Sequence, residues 1–290
     1  MKIAVLGNRT NSCFDQLAEA ADGKHHLGFV AWNDLVALVG ETEAIECGFS
    51  NSPATNDFDV VLVRGMPVGS LEQVVFRMNA LARWQACGVR VVNSPRSLEI
   101  AIDKYLSLAL IRQAGVAVPE SIVCQTVAAA MEGFHALGGD VVVKPVFGGE
   151  GRGIVRISDP EIAVRTFRTI VNVQSVVYLQ RYIDGGNRDY RLLKVGARVY
   201  GMSRSNENDW RTNSTRGADC ELWKPAPEQL EMAERAMRAV DTDIAGVDLI
   251  QDRQGQWFLL EVNGIPGWRA IESVHDVNIS DQLINWLERK

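Results

Sequence analysis

Residues 246–267, GVDLIQDRQGQWFLLEVNGIPG, read as two strands joined by a polar turn, and they constrain the chain more than any other segment. The turn chemistry sits at Asp252–Gly255 between two apolar runs, which is a hairpin signal. With Gln251 set opposite Gln256, Val247, Leu249, Phe258, Leu260 and Val262 share one face, all apolar. The other face gathers Asp248, Glu261 and Asn263 with Ile250, Trp257 and Leu259, because successive strand side chains point to opposite sides. Asp248 and Glu261 are then diagonal neighbours, roughly 7 Å apart at the backbone and within shared reach of a cation. Two carboxylates and a carboxamide are hard oxygen donors of the kind Mg²⁺ takes alongside water and phosphate oxygens. A solvated strand face with accidental acids is the plainer account. The remaining chain must decide whether there is phosphate for such a metal to hold.

At 290 residues the chain can bury a large core and divide into two or three subdomains. A formal charge of −6 argues against nucleic acid as the main partner. No apolar run approaches the roughly 20 residues that span a bilayer, so no membrane role is expected. The start, MKIAVLGNRTN, enters a strand directly and lacks a signal-peptide core. Cys13, Cys47, Cys87, Cys124 and Cys220 are scattered singly, and the four histidines make no metal-ligand spacing. A cytoplasmic protein with reduced thiols is expected.

Residues 1–95 alternate strand and helix signals. Lys2–Leu6, Asp59–Arg64 and Val89–Asn93 read as strands, and Ser70–Cys87 carries Leu71, Val74, Val75, Met78, Leu81 and Ala82 at helical spacing after a serine cap. That pattern predicts a small α/β layer with a parallel sheet. GNRTNS after Leu6 is not a dinucleotide fingerprint, which disfavours a nicotinamide-linked oxidoreductase. Arg64 ends a strand, where open parallel sheets often face ligands, although a surface charge is the commoner outcome.

A single helix is predicted over Arg96–Ala114, with Lys104 inside it among Ile102, Leu106 and Leu108. Only seven of the 30 basic residues are lysines. A second one, Lys144, lies in the apolar strand Asp140–Val146 and is followed by Gly148, Gly149, Glu150, Gly151, Arg152 and Gly153. Those glycines free the backbone to approach a ligand, and their N–H groups can nest an anion. This is not a Walker A loop, since a strand follows and no GK[ST] appears. A buried ammonium nevertheless needs an anionic partner, and a phosphate would serve. Further on, Val176–Ile183 reads as a strand, and Asp189–Lys194 and Arg198–Arg204 as a hairpin bearing Arg188, Arg191, Arg198 and Arg204. An ion pair between Asp189 and Arg191 is the plain account of that hairpin's charge. Residues 205–224 read as a loop, and Pro227–Val240 and Ile279–Leu287 as helices.

Polyphosphate with Mg²⁺ explains the two lysines, the glycine loop and the oxygen face together. The arginines exceed what ATP needs and suit a second, carboxylate-bearing substrate. At this point the chain resembles the ATP-grasp superfamily, and within it the RimK-like carboxylate–amine ligases. The motifs that carry the resemblance are N93SP with D103K, VVVK144PVFGGEGRG, YLQ180RYI, D189YR, R204, W210RTN213 and GVD248 with LLE261VN263GIPG.

The resemblance covers essentially the whole chain and implies a mixed α/β and α+β ATP-grasp fold. A small N-terminal α/β layer (1–95) would precede a central lobe with a glycine-rich lid (96–183) and a C-terminal lobe with the metal site (184–290). It implies Lys104 and Lys144 on ATP phosphates, a lid at Gly148–Gly153 that includes Glu150, and a hinge at Gln180, Arg181, Tyr182 and Ile183 that receives adenine. Asp189 and Arg211 to Asn213 would lie near the nucleotide, with Arg211 or Asn213 also near the transferred phosphate, and Arg204, Arg211 and Asn213 would be the catalytic residues. Asp248, Glu261 and Asn263 would hold two Mg²⁺ or Mn²⁺ ions, and Arg64, Arg191 and Arg204 substrate carboxylates. Relatives often carry an acid after the hinge glutamine, and Arg181 departs from that. The tail Gly264–Arg269 resembles ligases that add glutamate to tetrahydromethanopterin-type cofactors.

The activity implied is ATP-dependent amide formation through an acyl phosphate, joining glutamate or a similar amino acid to a small-molecule or peptide acid. Self-association into a homo-oligomer is left open. The alternative from another class is a non-catalytic ATP-binding module, which intact metal ligands and surplus arginines disfavour.

Overall fold

The computed structural model describes residues 1–7, 13–39, 46–49, 58–149, 151–212 and 217–289. The chain opens with β1 (Lys2–Gly7), α1 (Cys13–Ala21) and β2 (His26–Ala31), then a short hairpin of β3 (Leu35–Leu38) and β4 (Glu46–Phe49). β5 (Val60–Val63), α2 (Leu71–Ala86) and β6 (Arg90–Val92) complete this part. Its sheet has the order β2-β1-β5-β6 with all pairs parallel, so β2 adds an edge strand to the three expected. β1 and β5 are nearly continuous apolar runs because helices cover both sides. α2 begins at a Ser70–Gln73 capping box, as the serine foretells, but Leu71 and Val75 are exposed. Met78 and Leu81 are buried as expected, and Trp84, which the spacing does not mark, is buried beside them.

The next part runs α3 (Pro95–Ile102), α4 (Lys104–Gln113), β7 (Ser121–Cys124), α5 (Val127–Ala136), β8 (Val141–Lys144), β9 (Val155–Ile157), α6 (Pro160–Asn172) and β10 (Val177–Arg181). The single helix expected over Arg96–Ala114 is therefore two. Asp103 is extended (φ −91°, ψ 103°) and accepts from the Tyr105 and Leu106 N–H groups. An aspartate that can cap a following turn competes with helix continuation, and here it wins. The antiparallel sheet β7-β10-β8-β9 packs on α5 and α6 through Phe134, Phe167, Val143 and Leu179.

The last part holds β11 (Arg188–Val195), β12 (Arg198–Ser205), β13 (Asp219–Leu222), α7 (Pro227–Val240), β14 (Ile244–Gln251), β15 (Trp257–Asn263), α8 (Arg269–His275) and α9 (Ile279–Glu288). Its antiparallel sheet has the order β13-β12-β11-β14-β15, and β13 lies inside the stretch expected to be loop. One face packs on α3, α4 and α7, with Ile100, Ile111, Met237, Val247 and Leu259 in that core. α8 and α9 turn back to the first sheet, so that Ile271, Leu283 and Leu287 share a core with Ile3, Val5 and Leu17.

The β14–β15 hairpin forms, in a different register from the one expected. Gln251 pairs with Trp257, because Asp252 N–H donates to Gln256 O at 2.9 Å and Gly255 (φ +87°) closes a three-residue loop. A bulge follows: Leu249 pairs with Leu259, yet Asp248 pairs with Glu261, leaving Leu260 as the extra residue. Asp248 and Glu261 are thus directly opposite rather than diagonal. Leu259 joins Val247, Leu249 and Val262 in the core, while Trp257 stacks with Trp223 beside it.

Candidate active site

A cleft opens between the second and third sheets, and most of the residues singled out in the sequence line it. From the β8 side come Lys144 and the loop residues Gly148, Gly149 and Gly151; from the start of α4 comes Lys104. β10 and the segment after it supply Gln180, Arg181, Tyr182 and Ile183. β11, β12, β14 and β15 supply Asp189, Arg204, Asp248 and Glu261, and the loop after β12 supplies Arg211. Gly153 and Asn263 are not among the lining residues; Gly153 (φ +70°) closes the turn over Pro145. Glu150 and Asn213 lie outside the described residues.

The cleft lining is mixed in chemistry. Val142, Ile154, Ile183, Ile250, Leu260, Tyr182 and Trp210 supply apolar and aromatic surface, and the lysines, Arg204 and the three acids charge. Ile250 follows from the alternation that marks Asp248, and Val142 from the one that marks Lys144. Leu260, expected on the core face, reaches the cleft because of the bulge. Arg152 of the lid, Arg188 of the cationic hairpin and Thr212 of the Trp210–Asn213 motif also line it, as does Asn187, which no sequence pattern marks.

The lysines face a carboxylate pair. Lys144 Nζ donates to Gln180 Oε1 at 2.6 Å, and Gln180 Nε2 donates to Ser121 Oγ at 3.1 Å, which fixes the amide's orientation. The Gln180 side chain therefore serves Lys144 rather than a base. Burial, helped by the Lys104 charge and opposed by the Glu261 and Asp248 charges, lowers the Lys144 pKa to about 8. Lys104 Nζ donates to the Gly148 carbonyl, and burial lowers its pKa too. Burial and the neighbouring Asp248 charge raise the Glu261 carboxyl above its ordinary range, against the pull of both lysines.

The arginines are held by acids of the site. Arg191 donates to both oxygens of Asp248, Nε to Oδ1 and Nη2 to Oδ2, each at 2.7 Å. Arg204 donates to both oxygens of Asp189, at 2.7 and 2.6 Å, and its Nη2 stands 3.2 Å from Asp248 Oδ2. Burial alone would push the Asp248 carboxyl up, but Arg191 and Arg204 outweigh it and hold it well below the usual range. The expected Asp189–Arg191 pair does not form, because each acid takes its arginine from the neighbouring strand: Asp189 is paired with Arg204 and Asp248 with Arg191. Arg191 thus sits behind Asp248 rather than in the cleft lining. Arg211 is held by Asp209, with Nη2 donating to Oδ2 at 2.7 Å.

Arg64 departs furthest from expectation. It does not line the cleft; it is buried, donates to the Pro266 carbonyl at 2.7 Å and stacks 3.8 Å from the Trp268 ring centroid. Arg181 pairs with Glu120 at 3.5 Å. The Arg181 and Tyr182 N–H groups donate to Glu120 O and Asp140 O, so their backbone donors are already engaged.

A buried carboxylate, Asp248, set opposite a half-buried one, Glu261, with lysines nearby, is a site that a hard dication would relieve electrostatically. Asn263 lies two residues beyond Glu261 on the same face of β15, its Oδ1 accepting from Ile265 N–H at 3.1 Å. The donor set fits Mg²⁺. Among the described residues, no group of three or more His, Cys, Asp or Glu forms a separate metal cluster, and no helix is long and apolar enough to cross a membrane.

Comparison with known proteins points the same way. The family model of the RimK-like ATP-grasp domain matches residues 101–287. A tetrahydromethanopterin:alpha-L-glutamate ligase of Methanosarcina acetivorans is 31% identical over 262 residues, covering 80% of this chain and 81% of its own. A ribosomal protein bS6–L-glutamate ligase of Escherichia coli is 26% identical over 304 residues, covering 100% and 96%. The ATP-grasp ligase PsnB, solved with a precursor variant, Mg and ADP, superposes with a TM-score of 0.75 at 21% identity, covering 99% of this chain and 97% of that one. A RimK domain protein from Sphaerobacter thermophilus gives the same score and identity over 99% of both chains.

Proposed function

The chain belongs to the RimK-like ATP-grasp family of ADP-forming carboxylate–amine ligases, and on that basis we propose that it joins glutamate, or a similar amino acid, to a carboxylate-bearing small molecule or peptide. The observation that carries this reading is one cleft lined both by apolar side chains suited to a base and by two lysines facing a carboxylate pair. A tetrahydromethanopterin-type acceptor is the first to test, since the relative from Methanosarcina acetivorans is named for one.

ATP would lie with adenine between Val142, Ile183 and Leu260 and its phosphates toward Lys104 and Lys144. With the Arg181 and Tyr182 donors engaged elsewhere, Ile183 is the hinge residue whose backbone a base edge would meet. Asp248, Glu261 and Asn263 would hold Mg²⁺, one or two ions, which when bound neutralises phosphate charge. An oxygen of the acid attacks the γ-phosphorus, the bond to the bridging oxygen breaks, and ADP leaves. The amine then attacks the acyl carbon, inorganic phosphate departs with the bonding pair, and the amine loses a proton. Lys104, Lys144 and Arg204 contribute positioning and charge neutralisation, the larger part of catalysis in phosphoryl transfer. Arg204, which lines the cleft, and Arg191, which backs Asp248, are the candidate anchors for the acid's carboxylate.

ADP release that requires both an acid and an amino acid, with product mass equal to their sum less water, is the expected result of a screen. ATP hydrolysis indifferent to every amino acid would sink the ligase reading and favour a nucleotide-binding module. Glu261→Gln should abolish turnover, by at least about a thousandfold, while the variant stays folded.

A further inference from the structure

Two strand ends of the first sheet grip the segment that follows β15. Arg64, just past β5, bonds the Pro266 carbonyl and stacks flat on Trp268, which is itself buried. Asn93, just past β6, donates from Nδ2 to the Ile244 carbonyl at 2.7 Å and the Gly264 carbonyl at 2.6 Å. Its Oδ1 accepts from the Asp243 and Ile244 N–H groups, both at 3.0 Å. Every hydrogen-bonding position of that buried carboxamide is used.

The gripped segment reaches the reaction centre. Gly264 packs on α3, where a Cβ would stand 3.1 Å from Ala101 Cβ. Pro266 comes up against Gly246, where a Cβ would stand 3.2 Å from Pro266 Cβ and 3.6 Å from Arg191 Nε. The missing side chain at position 246 therefore brings Pro266 beside Arg191, the guanidinium bound to both oxygens of Asp248.

We propose that Arg64 and Asn93 are positioning residues that clamp Gly264–Trp268, so that Pro266 packs beside Arg191 and shapes the acceptor side of the site. This rests on the reading of Arg191 as an anchor for the acid. Arg64 acts through the segment it holds, since its guanidinium lies against Trp268 and Pro266 rather than along the cleft. A planar cation stacked on an indole gives a rigid clamp that an ammonium reproduces only in part.

The test uses Arg64→Met and Arg64→Lys, with Asn93→Ala deciding the matter should Arg64→Met fail to fold. Amide hydrogen exchange is read on the free protein over residues 264–269 and 141–157, and KM is measured for ATP and for N-acetyl-L-glutamate as the probe acid. In Arg64→Met, exchange over 264–269 should quicken about tenfold with 141–157 unchanged. The probe-acid KM should rise about tenfold and the ATP KM stay within about twofold, with Arg64→Lys intermediate. An Arg64 that contacted the acid directly would raise the same KM while leaving the exchange of 264–269 as in wild type, and that result overturns the clamp. An equal rise in both KM values overturns it too. Exchange is read without substrate, so a wild-type chain lacking acid-dependent ADP release counts against the ligase reading and leaves exchange to judge the clamp.

Discussion

Asp248 and Glu261 face each other across one pair of strands, and their surroundings push their carboxyl groups in opposite directions. Arg191 and Arg204 keep Asp248 ionised, whereas burial beside Asp248 raises Glu261. The same chemical group therefore answers differently to substitution at the two positions. Asp248→Asn strands the Arg191 guanidinium, while Arg204 keeps Asp189, and breaking a buried ion pair costs about 3–5 kcal/mol, to be read from urea unfolding. Glu261→Gln should cost far less stability, and a Glu261→Gln variant as unstable as Asp248→Asn would show the two sites to be equivalent. Lys144 has a pH signature. Its folded pKa, about 8, lies below the ordinary 10.5, so between these values the unfolded chain holds the extra proton. The Lys144 contribution to stability therefore rises with pH through that window. Nucleotide binding runs the other way, because phosphates favour the charged lysine. ATP affinity should be level below about pH 8 and fall up to about tenfold per pH unit above it, with the fall absent in Lys144→Met.

At the scale of elements, the breaks and irregularities are what place the site. α3 and α4 would be one helix by apolar spacing, and Asp103 separates them. That break puts Lys104 at the first position of α4, its N–H donating to Val146 O at 3.3 Å and its ammonium to Gly148 O, so the helix start and the glycine loop meet. Asp103→Ala removes the cap at about 1 kcal/mol and lets Lys104 drift, so calorimetry and the ATP KM should move together. A lowered Tm with an unchanged ATP KM would separate the cap from the lysine. The bulge at Leu260 acts likewise: one extra residue keeps Leu259 in the core and presents Leu260 and Glu261 to the cleft.

Over the whole molecule, the third sheet is the hub. Its one face carries α3, α4 and α7, its partner across the cleft is the second sheet, and the helices that follow it return to the first. α9 packs on α1, and His25 Nε2 meets Glu288 Oε1 at 2.8 Å, so the two ends of the chain stabilise each other. Leu283→Ala, in that shared core, should cost about 2–5 kcal/mol and lower the unfolding midpoint seen by circular dichroism and by tryptophan fluorescence equally. A midpoint that moved for one probe alone would mean that the ends unfold separately.

What the chain's own order determined is the inventory of the site. Period-two alternation marks Asp248 and Glu261, a scarce lysine in an apolar strand marks Lys144, and glycine density marks the loop after it; these signals are local and survive without knowledge of the fold. Tertiary structure decided which arginine meets which acid, because cross-strand neighbours are set by register and register by a turn and a bulge. It also decided that Arg64 faces Trp268 rather than the cleft. A strand end marks only where a side chain starts, and the packing of a segment 200 residues away determines where it ends.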